Sequence, residues 1–273
     1  MIGPWEEMLE NSEKIKLYAN GIWPGGCKGT VIIIHGLCEH QGRYAHVADS
    51  LLSAGYGVCR FDLRGHGRSE GMRGFYKNFY DMIADVDIIV DRVKKDAPDT
   101  PLFLLGHSMG GMIAAIYGTR YSEKIAGLVL AGARTRFSQS DRLEHLPLIE
   151  AEDKYLETRF EEDICTDKQV VKAYRGDPFV ERKYTVGLRN SCWYGVQWLK
   201  ENAQTLTRPV LILHGAEDHV VREEESREFF GEIGSKDKML KIYPFLYHEI
   251  LNEPCKEEIL KEIKEWLDKH VAS

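Results

Sequence analysis

Long apolar runs are absent from this chain of 273 residues. The purest ones, Val31 to Ile34 and Leu128 to Ala131, are far shorter than the ~18 residues that predict a membrane span. The first residues also lack the basic and then apolar order of a signal peptide. We therefore expect a soluble protein with neither a membrane span nor an export signal.

An excess of basic residues is absent as well. The 36 lysines and arginines stand against 43 aspartates and glutamates, which gives a net charge of -7. This is the wrong sign for a surface that binds nucleic acid or anionic lipid. We therefore expect no nucleic-acid partner, and any membrane contact has to be apolar.

Paired spacings of redox cysteines and metal ligands are missing too. The six cysteines include no CxxC, and the ten histidines form no HExxH or comparable cluster. The chain is also long enough to fold without a framework of disulfides. We interpret the cysteines as reduced thiols in a cytoplasmic protein, and we expect neither a metal nor a cofactor.

What is present is an ordinary globular composition, 43% hydrophobic and 29% charged, in which short β-branched runs alternate with helical patterns. This alternation predicts an α/β protein with a mostly parallel central sheet flanked by helices. The predicted strands are 30–34, 57–61, 102–105, 125–131, 210–213 and 238–243, and the predicted helices are 47–54, 79–93, 112–121, 222–230 and 259–271. The residues before the first of these strands are a polar opening without a predicted element.

The pattern changes in residues 134–206. There the strand-like runs disappear, the aromatic residues are spread out, and 150–163 is strongly acidic. We predict one domain with a lid, in which 1–133 and 207–273 form the α/β core and 134–206 is an inserted, mainly helical cap.

A serine lies at a sharp bend between a predicted strand and a predicted helix. The run Gly106-His-Ser-Met-Gly110 fits the G-x-S-x-G nucleophile elbow, and the required strand and helix flank it. A Gly-rich turn with an incidental serine is the alternative, whereas a phosphate loop would need a following Gly-Lys-Ser/Thr that is absent. We predict that Ser108 is the nucleophile.

The elbow predicts an acid and then a histidine further along the chain, because a serine hydroxyl needs a base to become a good nucleophile. Asp218 follows the strand at 210–213, and Glu217 beside it is a competing acid. His248 follows the next strand. We predict Asp218 as the acid and His248 as the base, and we regard His107, His219 and His270 as weaker candidates for the base.

Two backbone N–H groups are predicted to stabilise the tetrahedral oxyanion. They belong to Met109, directly after the serine, and to Leu37, in the loop after the strand at 30–34. His35 in that loop is interpreted as a buried histidine that braces it. The glycine-rich run 61–71 is interpreted as a structural loop near the site.

Five segments together resemble the serine α/β-hydrolases, and within them the monoacylglycerol lipase and lysophospholipase-like branch. The matching segments are 35–44, 61–71, 106–111, 211–221 and 247–254. The resemblance implies that the cap forms an apolar acyl tunnel and that Glu39 and Arg43 line a polar pocket for a glycerol-type head. An ion pair that holds the loop is the alternative for these two residues. Leu251 stands where the mammalian lipases have a second histidine.

We therefore expect a serine carboxylic ester hydrolase that cleaves a small-molecule acyl ester through an acyl-enzyme on Ser108. Monoacylglycerol is the leading substrate and lysophospholipid the second. A short-chain carboxylesterase, a thioesterase, a peptidase, a carbon-carbon hydrolase and a non-catalytic binding module are the alternatives. Any membrane contact is expected to be transient and to involve the cap, and the sequence makes no prediction of oligomeric state.

Overall fold

The computed structural model describes residues 2–137, 147, 150–158 and 160–271. Its centre is an eight-stranded sheet. In spatial order the strands are β1 (Ile2–Glu10), β2 (Lys16–Trp23), β4 (Gly57–Phe61), β3 (Thr30–Ile34), β5 (Leu102–His107), β6 (Gly127–Ala131), β9 (Val210–Gly215) and β10 (Lys238–Tyr243). From β4 to β10 all neighbours are parallel, which confirms the predicted α/β fold with a mostly parallel sheet.

The first two strands were not predicted. β1 pairs antiparallel with β2, and β2 pairs antiparallel with β4. Because β1 lies at the edge of the sheet, it tolerates charged residues, and its pattern does not read as a continuous apolar run. The residues that could have predicted this strand pair are the alternating Leu17 and Ala19 of β2, which are buried, and Trp5 and Trp23, whose rings stack 5.7 Å apart.

Helices cover both faces of the sheet. The α-helices of the described residues are α1 (Ala45–Ser53), α2 (Phe79–Asp96), α3 (Met109–Arg120), α4 (Lys168–Gly176), α5 (Val186–Asn202), α6 (Glu223–Glu232) and α7 (Lys256–His270). Of these, α4 packs in a separate small cluster rather than on the sheet. Ile32 and Ile34 face the apolar cluster that includes α2, α3 and α5, while Val31 and Ile33 face the one that includes α1 and α7. The central strands are apolar at successive positions because both of their faces are covered. Over the described residues, no helix is long and apolar enough to cross a membrane.

The chain between β6 and β9 contains most of the predicted cap. Contrary to the expected absence of strands, it has an antiparallel pair of three-residue strands, β7 (Tyr155–Glu157) and β8 (Lys183–Thr185). A small apolar cluster of its own lies near α4, and α5 packs against the core cluster that contains α3. Residues 138–146, 148–149 and 159 of the predicted cap lie outside the described residues. The boundaries 134–206 stay a prediction.

Candidate active site

Ser108 occupies the single position between β5 and α3. Its backbone φ is 53°, a value that non-glycine residues rarely adopt. A Cβ added at Gly106 would collide with the carbonyl oxygen of Gly110, and one added at Gly110 would collide with that of Ile34. Both glycines are therefore required by close backbone approach. α3 begins three positions earlier than predicted, and its first turn contains Gly110 and Gly111 although glycine has a poor helix propensity.

An acid and a histidine meet beyond the carboxyl ends of β9 and β10. The Nδ1–H of His248 donates to Oδ2 of Asp218 at 2.7 Å, and both residues are buried. Oδ1 of Asp218 accepts the N–H groups of Val220 and Val221, each at 2.8 Å. Glu217, the competing acid, is exposed. The structure thus brings Asp218 to His248, and the tautomer fixed by this bond leaves Nε2 of His248 able to accept a proton.

A second histidine, His214 in β9, also contacts Asp218. Its Nε2 lies 3.1 Å from Oδ2 of Asp218 and 2.9 Å from the carbonyl oxygen of Val221, while its Nδ1 bonds Ser226. Burial alone would raise the pKa of Asp218, but His248 and His214 outweigh it and hold that pKa below its ordinary value. The sequence analysis missed His214, whose signal is its position near the end of β9, four residues before Asp218.

Ser108 and His248 line a cavity of about 710 Å³. Its polar wall includes Ser108 and His248, the predicted N–H donors Leu37 and Met109, and the carboxylates of Glu39 and Glu249. Apolar side chains occupy another part, among them Phe137, Phe160, Ile164, Leu188 and Trp193. Within the part of the chain that the structure describes, the N–H groups of Leu37 and Met109 have no hydrogen-bond acceptor. They are thus free to bind an oxygen atom of a ligand.

Glu39 and Arg43 belong to a buried charge network. Glu39 accepts bonds from Arg43 at 2.7 Å, from the hydroxyl of Tyr44 at 2.6 Å and from the N–H of Gly36 at 2.5 Å. Arg43 also forms a bidentate pair with Glu249, at 2.6 and 2.7 Å. Burial would raise the pKa of Glu39, but Arg43 and the nearby histidines lower it to about 2.

The two residues predicted to bind the head group differ in their position relative to the cavity. Glu39 lines the cavity, whereas Arg43 is not one of the described residues of its wall. The contacts of Arg43 are those of an ion pair that holds the loop, and a head-group role for Glu39 and Arg43 stays a prediction. Glu249, which the sequence analysis missed, lines the cavity next to His248.

His35 and His107 are buried beside the site. Nε2 of His35 accepts the N–H of Leu63 at 2.9 Å, and its Nδ1–H donates to the carbonyl oxygen of Gly36 at 2.8 Å, so it braces the loop as predicted. The ring of His107 lies 4.6 Å from that of His248. Burial lowers the pKa of His35 to about 3 and that of His107 to about 4, so both are neutral near pH 7.

The similarity of the chain to known proteins agrees with this geometry. Residues 25–255 match the family described as serine aminopeptidase, S33. The monoacylglycerol lipase of Mycolicibacterium smegmatis is 34% identical to this chain over 254 residues, and the match covers 89% of each protein. The phospholipase YtpA of Bacillus subtilis is 29% identical over 88% of this chain and 95% of its own length. The crystal structure of Paleococcus ferrophilus monoacylglycerol lipase superposes with a TM-score of 0.84 at 30% identity, over 93% of this chain and 99% of that one. The chain therefore belongs to this family of α/β-hydrolases, in its monoacylglycerol lipase-like branch, and is an ester hydrolase.

Proposed function

We propose that Ser108, Asp218 and His248 form a catalytic triad that hydrolyses single-chain acyl esters, with monoacylglycerol as the leading substrate. The observation that carries this proposal is the 2.7 Å bond from His248 to Asp218 in a chain whose Ser108 and His248 line one cavity. A strained serine at an elbow, a buried acid and an oriented imidazole are the parts that acyl transfer needs.

In the proposed reaction, Nε2 of His248 takes the hydroxyl proton of Ser108 while Oγ forms a bond to the carbonyl carbon of the ester. The oxyanion of the tetrahedral intermediate accepts the N–H groups of Leu37 and Met109, each contributing about 3 kcal/mol. His248 returns the proton to the leaving alcohol as the ester bond breaks and the acyl-enzyme forms. Water then repeats the sequence and releases the fatty acid.

The role of Asp218 in this scheme is to stay ionised. Its lowered pKa and its bonds to Val220 and Val221 keep the carboxylate charged and fixed. From that position it holds the Nδ1–H tautomer of His248 and stabilises the imidazolium that forms during proton transfer.

Monoacylglycerol is proposed because the cavity is lined by both apolar side chains and carboxylates. Apolar side chains such as Phe137 and Leu188 suit an acyl chain, and the carboxylates of Glu39 and Glu249 can accept hydrogen bonds from a glycerol hydroxyl. Leu251 is buried in the apolar cluster with α7, so Glu249 is the acidic contact that this loop offers. The names of the lipases of Mycolicibacterium smegmatis and Paleococcus ferrophilus support the same substrate.

The test is a comparison of kcat/KM for a monoacylglycerol, lysophosphatidylcholine and p-nitrophenyl butyrate. We expect the monoacylglycerol to give the highest value, and Ser108→Ala to abolish both hydrolysis and labelling by a fluorophosphonate. Turnover of the aryl ester without turnover of monoacylglycerol would contradict the lipase assignment. Lysophospholipid is the second candidate, supported by the name of the Bacillus subtilis relative, and a higher kcat/KM for lysophosphatidylcholine would favour it.

Two further parts of the proposal concern the surroundings of the enzyme. All six cysteines lie in described parts of the chain and are free thiols, which supports the predicted reducing, cytoplasmic compartment.

Tyr194 and Phe179, both in the predicted cap, are 47% and 40% exposed, which supports a transient contact with a lipid surface through that region. Co-sedimentation with phosphatidylcholine vesicles, lost in Tyr194→Ser, tests this contact.

A further inference from the structure

The loop that carries His248 is joined directly to the predicted cap. We call residues 247–253 the histidine loop and residues 164–166 the cap segment. The N–H of Glu249 donates to the carbonyl oxygen of Ile164 at 2.7 Å, and the thiol of Cys165 lies 3.6 Å from the carbonyl oxygen of Asn252. The cap segment therefore runs along the histidine loop and bonds to it at more than one position.

The carboxylate of Glu253 is the centre of this junction. Its Oε1 accepts the N–H of Tyr247 at 2.9 Å and the N–H of Thr166 at 3.1 Å, and its Oε2 accepts the hydroxyl of Thr166. The buried side chain of Glu253 thus bonds both to Tyr247, at the start of the histidine loop, and to Thr166 of the cap segment.

The charge of Glu253 makes this arrangement costly. The side chain has 0% exposure, and the ion pairs among the described residues include no cation for it. A buried carboxylate without a cation persists only where several hydrogen bonds compensate for its lost hydration. The donors that compensate here are all on Tyr247 and Thr166, so the carboxylate fixes both of them.

Other contacts hold the middle of the histidine loop rather than its start. Arg43 binds Glu249, and Nε2 of His46 donates to the carbonyl oxygen of Leu251 at 2.7 Å. The N–H of Tyr247, directly before His248, has its bond to Glu253. Loss of this bond removes a backbone anchor directly before His248, whose imidazole is also held by Asp218.

We propose that Glu253 is a positioning residue that aligns His248 and couples that alignment to the placement of the cap segment. The inference rests on the proposed function, because it takes His248 to be the base. A base displaced by about 1 Å can cost about a hundredfold in rate, so a small shift of the histidine loop is measurable. A substrate that displaces the cap segment would act on His248 through the same carboxylate.

The experiment compares the wild-type chain with the single variants Glu253→Ala, Glu253→Gln and Thr166→Val. It also includes the double variant that carries Thr166→Val and Glu253→Ala. Glu262→Gln is the matched control, because Glu262 also accepts hydrogen bonds on the β10 side of the sheet. Among the described residues its carboxylate is bonded by the hydroxyl of Tyr243, at 2.8 Å, and by Lys241, and neither belongs to the junction. The readouts are the rate of fluorophosphonate labelling, kcat and KM for p-nitrophenyl butyrate, and the melting temperature.

We expect Glu253→Ala to lower the labelling rate and kcat at least about tenfold, with KM changed less than about threefold. Glu253→Gln should lose less, because its amide oxygen still accepts the N–H of Tyr247. Thr166→Val should lower kcat by about two- to fivefold, and should add nothing in the Glu253→Ala background. Glu262→Gln should leave the labelling rate unchanged.

Labelling of folded Glu253→Ala at the wild-type rate would overturn the inference, as would a change in melting temperature alone. Multiplicative effects of Thr166→Val and Glu253→Ala would overturn the coupling to the cap segment. If Glu253→Ala does not fold, unchanged labelling of both Glu253→Gln and Thr166→Val would overturn it instead. Failure of the wild-type chain to label at Ser108 is a separate result, which refutes the proposed function.

Discussion

The two sides of the cavity are built in different ways. Ser108, Asp218 and His248 lie at the ends of sheet strands, and β5 and β9 have every residue buried. Apart from α5, which packs against the core, the chain between β6 and β9 contributes strands of only three residues and a small apolar cluster near α4. Catalysis requires atoms held to about 0.5 Å, which close packing of the sheet supplies. Enclosing an acyl chain requires only volume and apolar surface.

The charges of the two sides differ in the same way. The core site holds buried charges, including Asp218 and Glu39, each with several hydrogen bonds. In the predicted cap, Arg175 pairs with Glu161 and Glu162 at the surface, where its side chain is 48% exposed. Changes at the buried charges of the core site should therefore have large effects on rate or stability, whereas changes at the exposed ion pairs of the predicted cap should have small ones.

The largest expected effect separates Asp218 from its neighbour Glu217. Asp218→Asn should lower kcat by about 10⁴-fold, because an amide favours the wrong tautomer of His248. Glu217→Gln is the matched control, since Glu217 is exposed and adjacent, and it should change kcat less than about twofold. Steady-state kinetics with p-nitrophenyl butyrate decide the matter, and equal losses in both variants would refute the assignment of the acid.

Two glycines test the difference in packing. Gly110→Ala should lower the free energy of unfolding by about 3 kcal/mol or more, because the new methyl group would collide with the backbone of Ile34. Gly176→Ala, at the end of α4, would meet only open space and should change it by less than about 1 kcal/mol. Urea unfolding measures both, and a tolerated alanine at position 110 would contradict the close approach.

The buried histidines of the core predict a dependence of stability on pH. Burial lowers the pKa of His35 from 6.5 to about 3, so below about pH 6.5 the unfolded chain binds more protons than the folded one. The free energy of unfolding should then fall from pH 7 to pH 5, by at most about 1.4 kcal/mol per pH unit for this histidine. Urea unfolding of His35→Asn should show a shallower fall, and a slope equal to that of the wild type would count against the prediction.

The smallest effect is expected at the surface of the predicted cap. Arg175→Gln removes exposed ion pairs to Glu161 and Glu162 and should change the free energy of unfolding by about 0.5 kcal/mol or less. Its effect on kcat/KM should be undetectable. A loss comparable to that of Gly110→Ala would show that the cap and the core depend on equally precise contacts.

The sequence by itself determined the α/β class, the family and the residues proposed as nucleophile, acid and base. These were accessible because their signals are local. They are apolar runs for strands covered on both faces, two glycines around Ser108, and polar residues in the loops that follow β9 and β10. The two edge strands escaped because strands at an edge need few apolar residues.

Only the tertiary structure decided which polar groups share the site and how residues 164–166 of the predicted cap attach to it. Arg43 meets Glu249 across 206 positions of sequence, and Thr166 meets Glu253 across 87. His214 reaches Asp218 because the loop after β9 turns back over the end of the strand. The contacts of Arg43 and Thr166 leave no local pattern, since packing of distant segments determines which side chains face each other in the interior.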